Sequence, residues 1–396
     1  MSIPQSLTLQ QAAARCWDVA VVGAGPAGAA VATLLARRGL GVLLVDRSPF
    51  PRFKVCGGTL NLRALACLER LGLGRLSERL GAVPLRRFVF ATGGHQAEVG
   101  LPGGVAVSRE ALDAALVREA VSAGGAFLPG HTAVLGPATA ETRSLRLSSR
   151  GATEEIHARL ILGADGLHGS LRRGFPALRS AVRTGSRIGA GTVLPHTPPA
   201  YLPGTIYMGH GKDGYVGLVR LEHDRLGIAA ALSPAAVATA GGLPSACEAI
   251  LRDAGLPPVA GMAETPWRAT PGLSRRPSRL GDARFLALGD AAGYVEPVTG
   301  EGVAWALEAA WDLAPLAERA VVNWDGRLVE EWEAACRLRM GSRQRVCRAL
   351  TGLLRRPGVV RLLTALWERR LLSPQPLIGV INRLELPPRE QAITGC

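Results

Sequence analysis

The sequence predicts an α/β chain (α+β overall): a Rossmann-like nucleotide-binding domain with an inserted, mostly antiparallel β-sheet substrate domain and a C-terminal helical segment. Three observations predict it. The glycine turn GAGPAG at residues 23–28 joins a short apolar run to an alanine-rich helical one. Two more glycine segments, GADG at 163–166 and GDAAG at 289–293, follow short apolar runs far downstream. Between them, over residues 180–275, the texture becomes short β-like runs separated by loops such as PHTPPAYLPG.

The elements follow in order. Residues 18–22 read as a buried strand, 26–38 as the next helix and 41–46 as a second strand, which together make a βαβ unit. Residues 60–80 read as helical, with Leu60, Ala64, Leu68 and Leu71 on one face. Residues 84–107 turn β-like and glycine-rich, after which Ser108 is placed to cap a helix carrying Leu112 and Leu116. A short buried strand at 159–163 ends in GADG. Runs at 187–194, 205–208, 215–221 and 226–232 form the inserted sheet, the run at 284–288 leads into GDAAG, and the chain after Gly302 is helix-rich. The expected organisation is therefore discontinuous: 1–80, 107–178 and 277–330 belong to the nucleotide-binding domain, 81–106 and 179–276 to the substrate domain, and 331–396 to the C-terminal helical region.

A chain of 396 residues has ample core for such a fold. Seven cysteines, odd in number and without a C-x-x-C pair, argue against a disulfide framework or a zinc site and fit a reducing, cytoplasmic setting. No secretory leader is visible at the N-terminus. Residues 19–36 carry no charge, as a membrane span would, but Gly23, Gly25, Pro26 and Gly28 within them fit a strand, turn and helix instead. The formal charge is +14, yet lysine occurs only at Lys54 and Lys212, so the balance is arginine and is discounted as a nucleic-acid signal. Residues 337–370 carry ten arginines interleaved with Leu and Val. This stretch reads as a helical cap with a solvated basic face, or as a basic amphipathic surface for the inner face of a membrane or an acidic carrier.

The turn GAGPAG has chemical content. Gly23 makes the tight strand exit, Gly25 lets backbone approach a pyrophosphate, and Gly28 lets helix and strand pack closely. The helix beginning at Pro26 and Ala27 then presents N–H groups and its positive dipole end to the phosphates. Asp46, followed by Arg47, ends the next strand where an acidic side chain accepts ribose hydroxyls.

Beyond this point GADG with Arg172, GDAAG, and VSREALDAAL at 107–116 resemble, in order, the fingerprints of FAD-dependent oxidoreductases of the para-hydroxybenzoate-hydroxylase fold. The resemblance spans roughly residues 17–330. It implies a Rossmann-like FAD-binding domain, with Arg109 reaching the FAD, Asp165 near the pyrophosphate, Gly289 and Asp290 at the ribityl chain, and Pro297, Gly300 and Gly302 along the isoalloxazine. Gly169 stands where that family often has Ser. A helix starting near Gly300 would aim its N-terminal dipole at the flavin N1 and O2 edge. More narrowly, FPRFKVCGGTLNLRAL at 50–65 and EPVTGEG at 296–302 resemble the geranylgeranyl-reductase-like branch, which saturates isoprenoid double bonds. That makes Cys56 a candidate proton donor or active-site wall. The branch carries a tyrosine, tryptophan and proline pattern on a substrate strand; GYVGLVRLEHD at 214–224 keeps Tyr215, a second candidate donor, but has Gly217 and Arg220.

Three functions remain open on this reading. The first is a flavin reductase or dehydrogenase acting on C=C bonds of a hydrophobic isoprenoid, lipid or polyketide. The second is an O₂-dependent hydroxylase of an aromatic or polyketide substrate, and the third an FAD-containing binding protein docked to a membrane or carrier. A second G-x-G-x-x-G is absent from the sequence, so NAD(P)H, as electron donor, is expected to dock transiently. The single histidines His95, His168, His196, His210 and His223 have no metal spacing.

Overall fold

An uninterrupted apolar run such as Val19–Val22 suits a strand buried on both faces, and strand Cys16–Val22 is the centre of a parallel sheet. In the computed structural model, which describes residues 3, 5–149, 151–172, 174–296, 298–376 and 379, that strand pairs with Val42–Asp46 on one side and Ala152–Gly163 on the other. Ala126–Pro129 and Phe285–Ala287 extend the sheet, also in parallel. Helices Pro26–Arg37, Arg109–Ser122 and Gly302–Val322 bury one face, where Val19 and Val21 meet Leu35, Leu116 and Leu313. Thr132–Ala138 and Arg143–Ser149 fold back in antiparallel pairs onto Ala152–Gly163, and their Leu135, Leu145 and Leu147 join Ala20 and Val22 on the other face.

One register matters for function: Val22 lies opposite Gly163, and Gly163 opposite Ala287. The three glycine segments therefore leave the C-terminal ends of adjacent parallel strands, the crevice where α/β sheets bind ligands.

The second sheet has seven strands in the spatial order Arg268–Gly272, Ile188–Leu194, Leu226–Leu232, Gly214–Arg220, Thr205–Gly211, Arg87–Thr92, His95–Gly100. All its pairings are antiparallel except that of Thr205–Gly211 with Arg87–Thr92. The two-residue side-chain period separates its faces. Val216, Leu218, Ile228 and Leu232 pack under helix Leu243–Ala254, through Cys247, Ile250 and Leu251. Phe88, Ile206, Met208, Tyr215, Gly217 and Ala229 face a cavity instead.

One local expectation shifts. Leu60 belongs to the short strand Thr59–Leu60 rather than to a helix, because Asn61 Oδ1 accepts the Ala64 N–H (3.0 Å) and so starts the helix at Leu62. The late helix begins at Gly302, two residues past Gly300 and so near the expected start; Gly300 itself has a left-handed φ of +68°. Among the described residues no helix is long and apolar enough to cross a membrane. Residues 380–396 of the expected C-terminal helical region lie outside the described residues.

Helix Arg327–Leu353 leads to helix Pro357–Glu368, which covers the edge strand His95–Gly100. His95 Nδ1 donates to Glu368 Oε2 (2.8 Å) and the Gln96 N–H to Glu368 Oε1 (3.3 Å). Deeper in, His210 Nε2 donates to the Leu354 carbonyl (2.7 Å), and Nδ1 faces Thr92 Oγ1 at 3.4 Å. Burial first, and Arg187 after it, hold this ring's pKa below its ordinary 6.5, against the opposing effect of the Leu354 hydrogen bond. The unfolded chain then takes up the proton more readily than the folded one. The His210 contribution is complete above about pH 6.5 and is lost as pH falls through the folded pKa. Thermal melts should show a midpoint that drops between about pH 7 and about pH 5, and H210Q should flatten that drop.

Candidate functional site

The crevice is shaped by close backbone contact. Gly23 has φ +105°, and a Cβ there would lie 2.2 Å from the Ala164 carbonyl oxygen. At Gly28 a Cβ would lie 1.8 Å from the Gly23 carbonyl oxygen and 3.1 Å from Ala164 Cβ. GAGPAG and GADG are thus packed against each other. Helix Pro26–Arg37 has Gly25 at its N-cap, which supplies no side-chain acceptor, so its positive end is left for an anion. Asp46 is held beside it by the Ala24 N–H (2.8 Å to Oδ2) and the Ser48 N–H (2.9 Å to Oδ1).

A set of cations stands over this turn. Arg109 donates twice to the buried carboxylate of Asp113 (2.7 and 2.9 Å), and Arg52 donates to the same carboxylate at 3.0 Å. One aspartate four residues along the helix therefore orients both guanidinium groups. Arg52 also lies 3.6 Å from Asp46. Lys54 sits among them, and burial, then Arg109 and Arg52, push its pKa below the ordinary lysine value while Asp290 opposes. A buried ammonium destabilised by neighbouring cations is relieved by an incoming anion. K54M should therefore retain FAD about tenfold more weakly in a fluorescence titration, the loss of one charge-assisted contact.

A cavity of about 1000 Å³ runs from this turn to the inner face of the seven-stranded sheet. On its way it passes Asp165 and Asp290, then Gly300 and Gly302. Burial raises the pKa of both aspartates; the Leu171 N–H opposes it at Asp165, and Lys54 and Arg109 oppose it at Asp290. Asp165 Oδ1 is a buried oxygen with no partner. Helix Gly302–Val322 points its N-terminus at the cavity, and the carboxylate of its N-cap residue Glu301 is drawn aside by Arg343 (2.9 Å), Arg63 (3.6 Å) and Thr299. The dipole end is thus not neutralised by its own cap. Cavity volume, surplus cations and glycine-lined walls all suit a flavin dinucleotide.

At the sheet end, the Tyr215 hydroxyl is buried without a hydrogen-bond partner. Its pKa is raised well above the ordinary tyrosine value, first by burial and then by the nearby Glu296 carboxylate, with Arg187 opposing. Glu296 is fully buried and is paired with Arg187 (3.0 Å), with Arg355 at 3.6 Å. Cys56 Sγ accepts the Gly58 N–H (3.5 Å) and neighbours Arg109. Tyr294, which follows GDAAG, has a pKa raised by burial and then by Asp290 and Cys56.

Of the residues singled out in the sequence, Gly23, Gly25, Pro26, Ala27, Asp46, Arg47, Cys56, Arg109, Asp165, Tyr215, Asp290, Gly300 and Gly302 line this one cavity. Gly28 and Gly289 stand behind it as packing contacts; a Cβ on Gly289 would lie 2.8 Å from Ala27 Cβ. Pro297 lies outside the described residues. Gly169 has φ +56°, with Arg172 Nη2 3.2 Å from where a Cβ would sit, which accounts for glycine in the place of Ser. Sequence reasoning missed Asp113, Tyr294, Arg187 and Glu296 as parts of the site. Asp113, four residues after Arg109, carried a readable signal, and Glu296 heads the EPVTGEG segment; Arg187 carried none.

Comparisons with known proteins agree with this geometry. Residues 16–318 match the family described as FAD binding domain. The chain is 31% identical over 322 residues to a menaquinone reductase of Mycobacterium tuberculosis, with 74% of each chain covered. It is 31% identical over 167 residues to a geranylgeranyl diphosphate reductase of Rhodobacter capsulatus, with 41% of each covered. A solved structure of a triple mutant of the flavin-dependent brominase Bmp2 shares the fold, with a TM-score of 0.76 at 15% identity over 92% of this chain and 94% of that one.

Proposed function

The chain belongs to the FAD binding domain family, and from that premise we propose that this FAD-dependent oxidoreductase saturates a carbon–carbon double bond in an isoprenoid chain. The observation that carries the reading is the continuity of one cavity from the dinucleotide turn to an apolar sheet face where Tyr215 holds a proton without a partner. Relatives named for menaquinone and for geranylgeranyl diphosphate support the substrate class, since both compounds carry isoprenoid chains. Bound FAD supplies two-electron hydride chemistry, with NAD(P)H docking transiently as the proposed source of electrons.

The residues of the chain do the rest. Gly23, Gly25 and the N-terminus of helix Pro26–Arg37 would hold the diphosphate, Arg52, Lys54 and Arg109 would balance its charge, and Asp46 would accept from ribose. Phe88, Ile206, Met208 and Ala229 exclude water from the reacting chain. Saturating one C=C takes one hydride and one proton, delivered to the two carbons. Tyr215 keeps its proton through the physiological range and presents it at Oη; the Glu296 carboxylate, fixed by Arg187, favours that protonated form, and a proton from solvent replaces it after each turnover. Cys56 also lines the cavity and is the second candidate donor.

Gly217 shapes specificity. A Cβ there meets only the Ala229 carbonyl oxygen, at 3.6 Å, so a larger side chain fits the backbone and projects into the cavity. G217W should fold and bind FAD normally but lose about 100-fold in kcat/KM on a long polyprenyl substrate, with a smaller loss on a short one. An oxygen electrode tests the proposed reaction: product should form under air without matching oxygen uptake. Stoichiometric, substrate-dependent uptake would favour the hydroxylase reading.

A further inference from the structure

Helix Pro357–Glu368 has two faces with different occupations. Inward, Val360 and the preceding Leu354 pack in one cluster with Tyr215, Phe88 and Met208, three residues that line the cavity. Outward, Val359 and Leu362 stand exposed (43% and 61%), and Leu371 and Leu372 continue the exposed apolar surface in the turn that follows (67% and 47%). These are four of the ten exposed large apolar side chains among the described residues, gathered within fourteen positions. Arg356, Arg361, Arg369 and Arg370, all exposed, lie in the same stretch, with the Arg361 side chain resting against Gly93. From 334 to 376 the sequence holds one acidic residue, Glu368, and that carboxylate is engaged by His95 at 2.8 Å.

We propose that this face docks the enzyme on an anionic bilayer surface, with Val359, Leu362, Leu371 and Leu372 entering the headgroup boundary and the arginines meeting lipid phosphates. Charge complementarity selects this occupant. A second copy of the chain would bring arginine against arginine. The chain's own residues 380–396 carry two arginines and two glutamates, so their side chains offer no net negative charge to the patch. The placement has a use: the helix that lies on the lipid is the helix whose inner side packs against Tyr215, Phe88 and Met208, which line the cavity. Docking is independent of which bond the enzyme reduces.

Full-length, FAD-loaded protein should co-sediment with phosphatidylcholine vesicles containing phosphatidylglycerol at least about tenfold more tightly than with phosphatidylcholine alone, and salt should weaken the binding. The double variant L362D/L371D, at positions exposed in the fold, should lose about tenfold or more of that binding while keeping its flavin spectrum and melting temperature. R369A/R370A should weaken binding to anionic vesicles specifically. Equal partition onto both vesicle types, or full binding by L362D/L371D, would overturn the proposal. So would light scattering that shows a dimer broken by L362D/L371D without any vesicle binding by the parent protein, which assigns the face to a second copy.

Discussion

Replacing Gly28 by alanine should give a protein that neither retains FAD nor keeps its native stability. The added Cβ would fall 1.8 Å from the Gly23 carbonyl oxygen and 3.1 Å from Ala164 Cβ. The first of these is backbone, so no rotamer relieves it, and the helix must move away from the strand that ends at Val22. Overpacking of this kind costs about 3 kcal/mol or more. The same movement separates GAGPAG from GADG and opens the diphosphate turn. G25A is the informative partner. Its Cβ would meet Arg109 Nη2 at 3.7 Å and Arg52 Nη2 at 3.8 Å, ordinary contacts, so the apoprotein should melt near the parent temperature. Its methyl group nevertheless occupies the space into which a diphosphate must come, and FAD affinity should still fall steeply. Flavin absorbance of the purified proteins, with melts of the apoproteins, separates the two effects. A G28A protein that is yellow and as stable as the parent would contradict the cradle.

The second large effect is expected at Tyr215. Y215F removes one oxygen that has no hydrogen-bond partner in the fold, so packing and FAD affinity should be unchanged. If the hydroxyl delivers the proton, kcat should drop by about 10² to 10⁴, the usual contribution of a positioned general acid. E296Q should lower kcat less and alter its pH dependence, since Glu296 acts on the reaction through Tyr215. C56A serves as the comparison. A large loss in C56A with little change in Y215F would assign the proton to Cys56.

The parts of this site legible in the sequence are those with local causes. A left-handed φ at Gly23 and the close approach at Gly28 are demands on single residues, and three such segments after apolar runs suffice to foresee adjacent parallel strands. Ser108 announces its helix by capping chemistry: its Oγ accepts the Ala111 N–H at 3.1 Å. Arg187 and Glu296 are different. They are 109 residues apart and meet only because two sheets are brought together, and no local pattern encodes that meeting. Arg52 reaching Asp113 across 61 residues is a second instance. The misplaced start of the helix at Leu62 has a smaller cause: apolar spacing at Leu60 fits a helix, but Asn61 supplies the cap one residue later.

Reduction of a carbon–carbon double bond with a proton supplied by the protein can be read from the mass of the product formed without oxygen. The FAD-loaded enzyme, a polyprenyl substrate and NAD(P)H are combined in deuterated water under strictly anaerobic conditions. Turnover is expected, with a product that gains two hydrogens per double bond, at least one of them a non-exchangeable deuterium from solvent, and no oxygen. A reaction that requires air, or a product carrying an added oxygen atom, would contradict it.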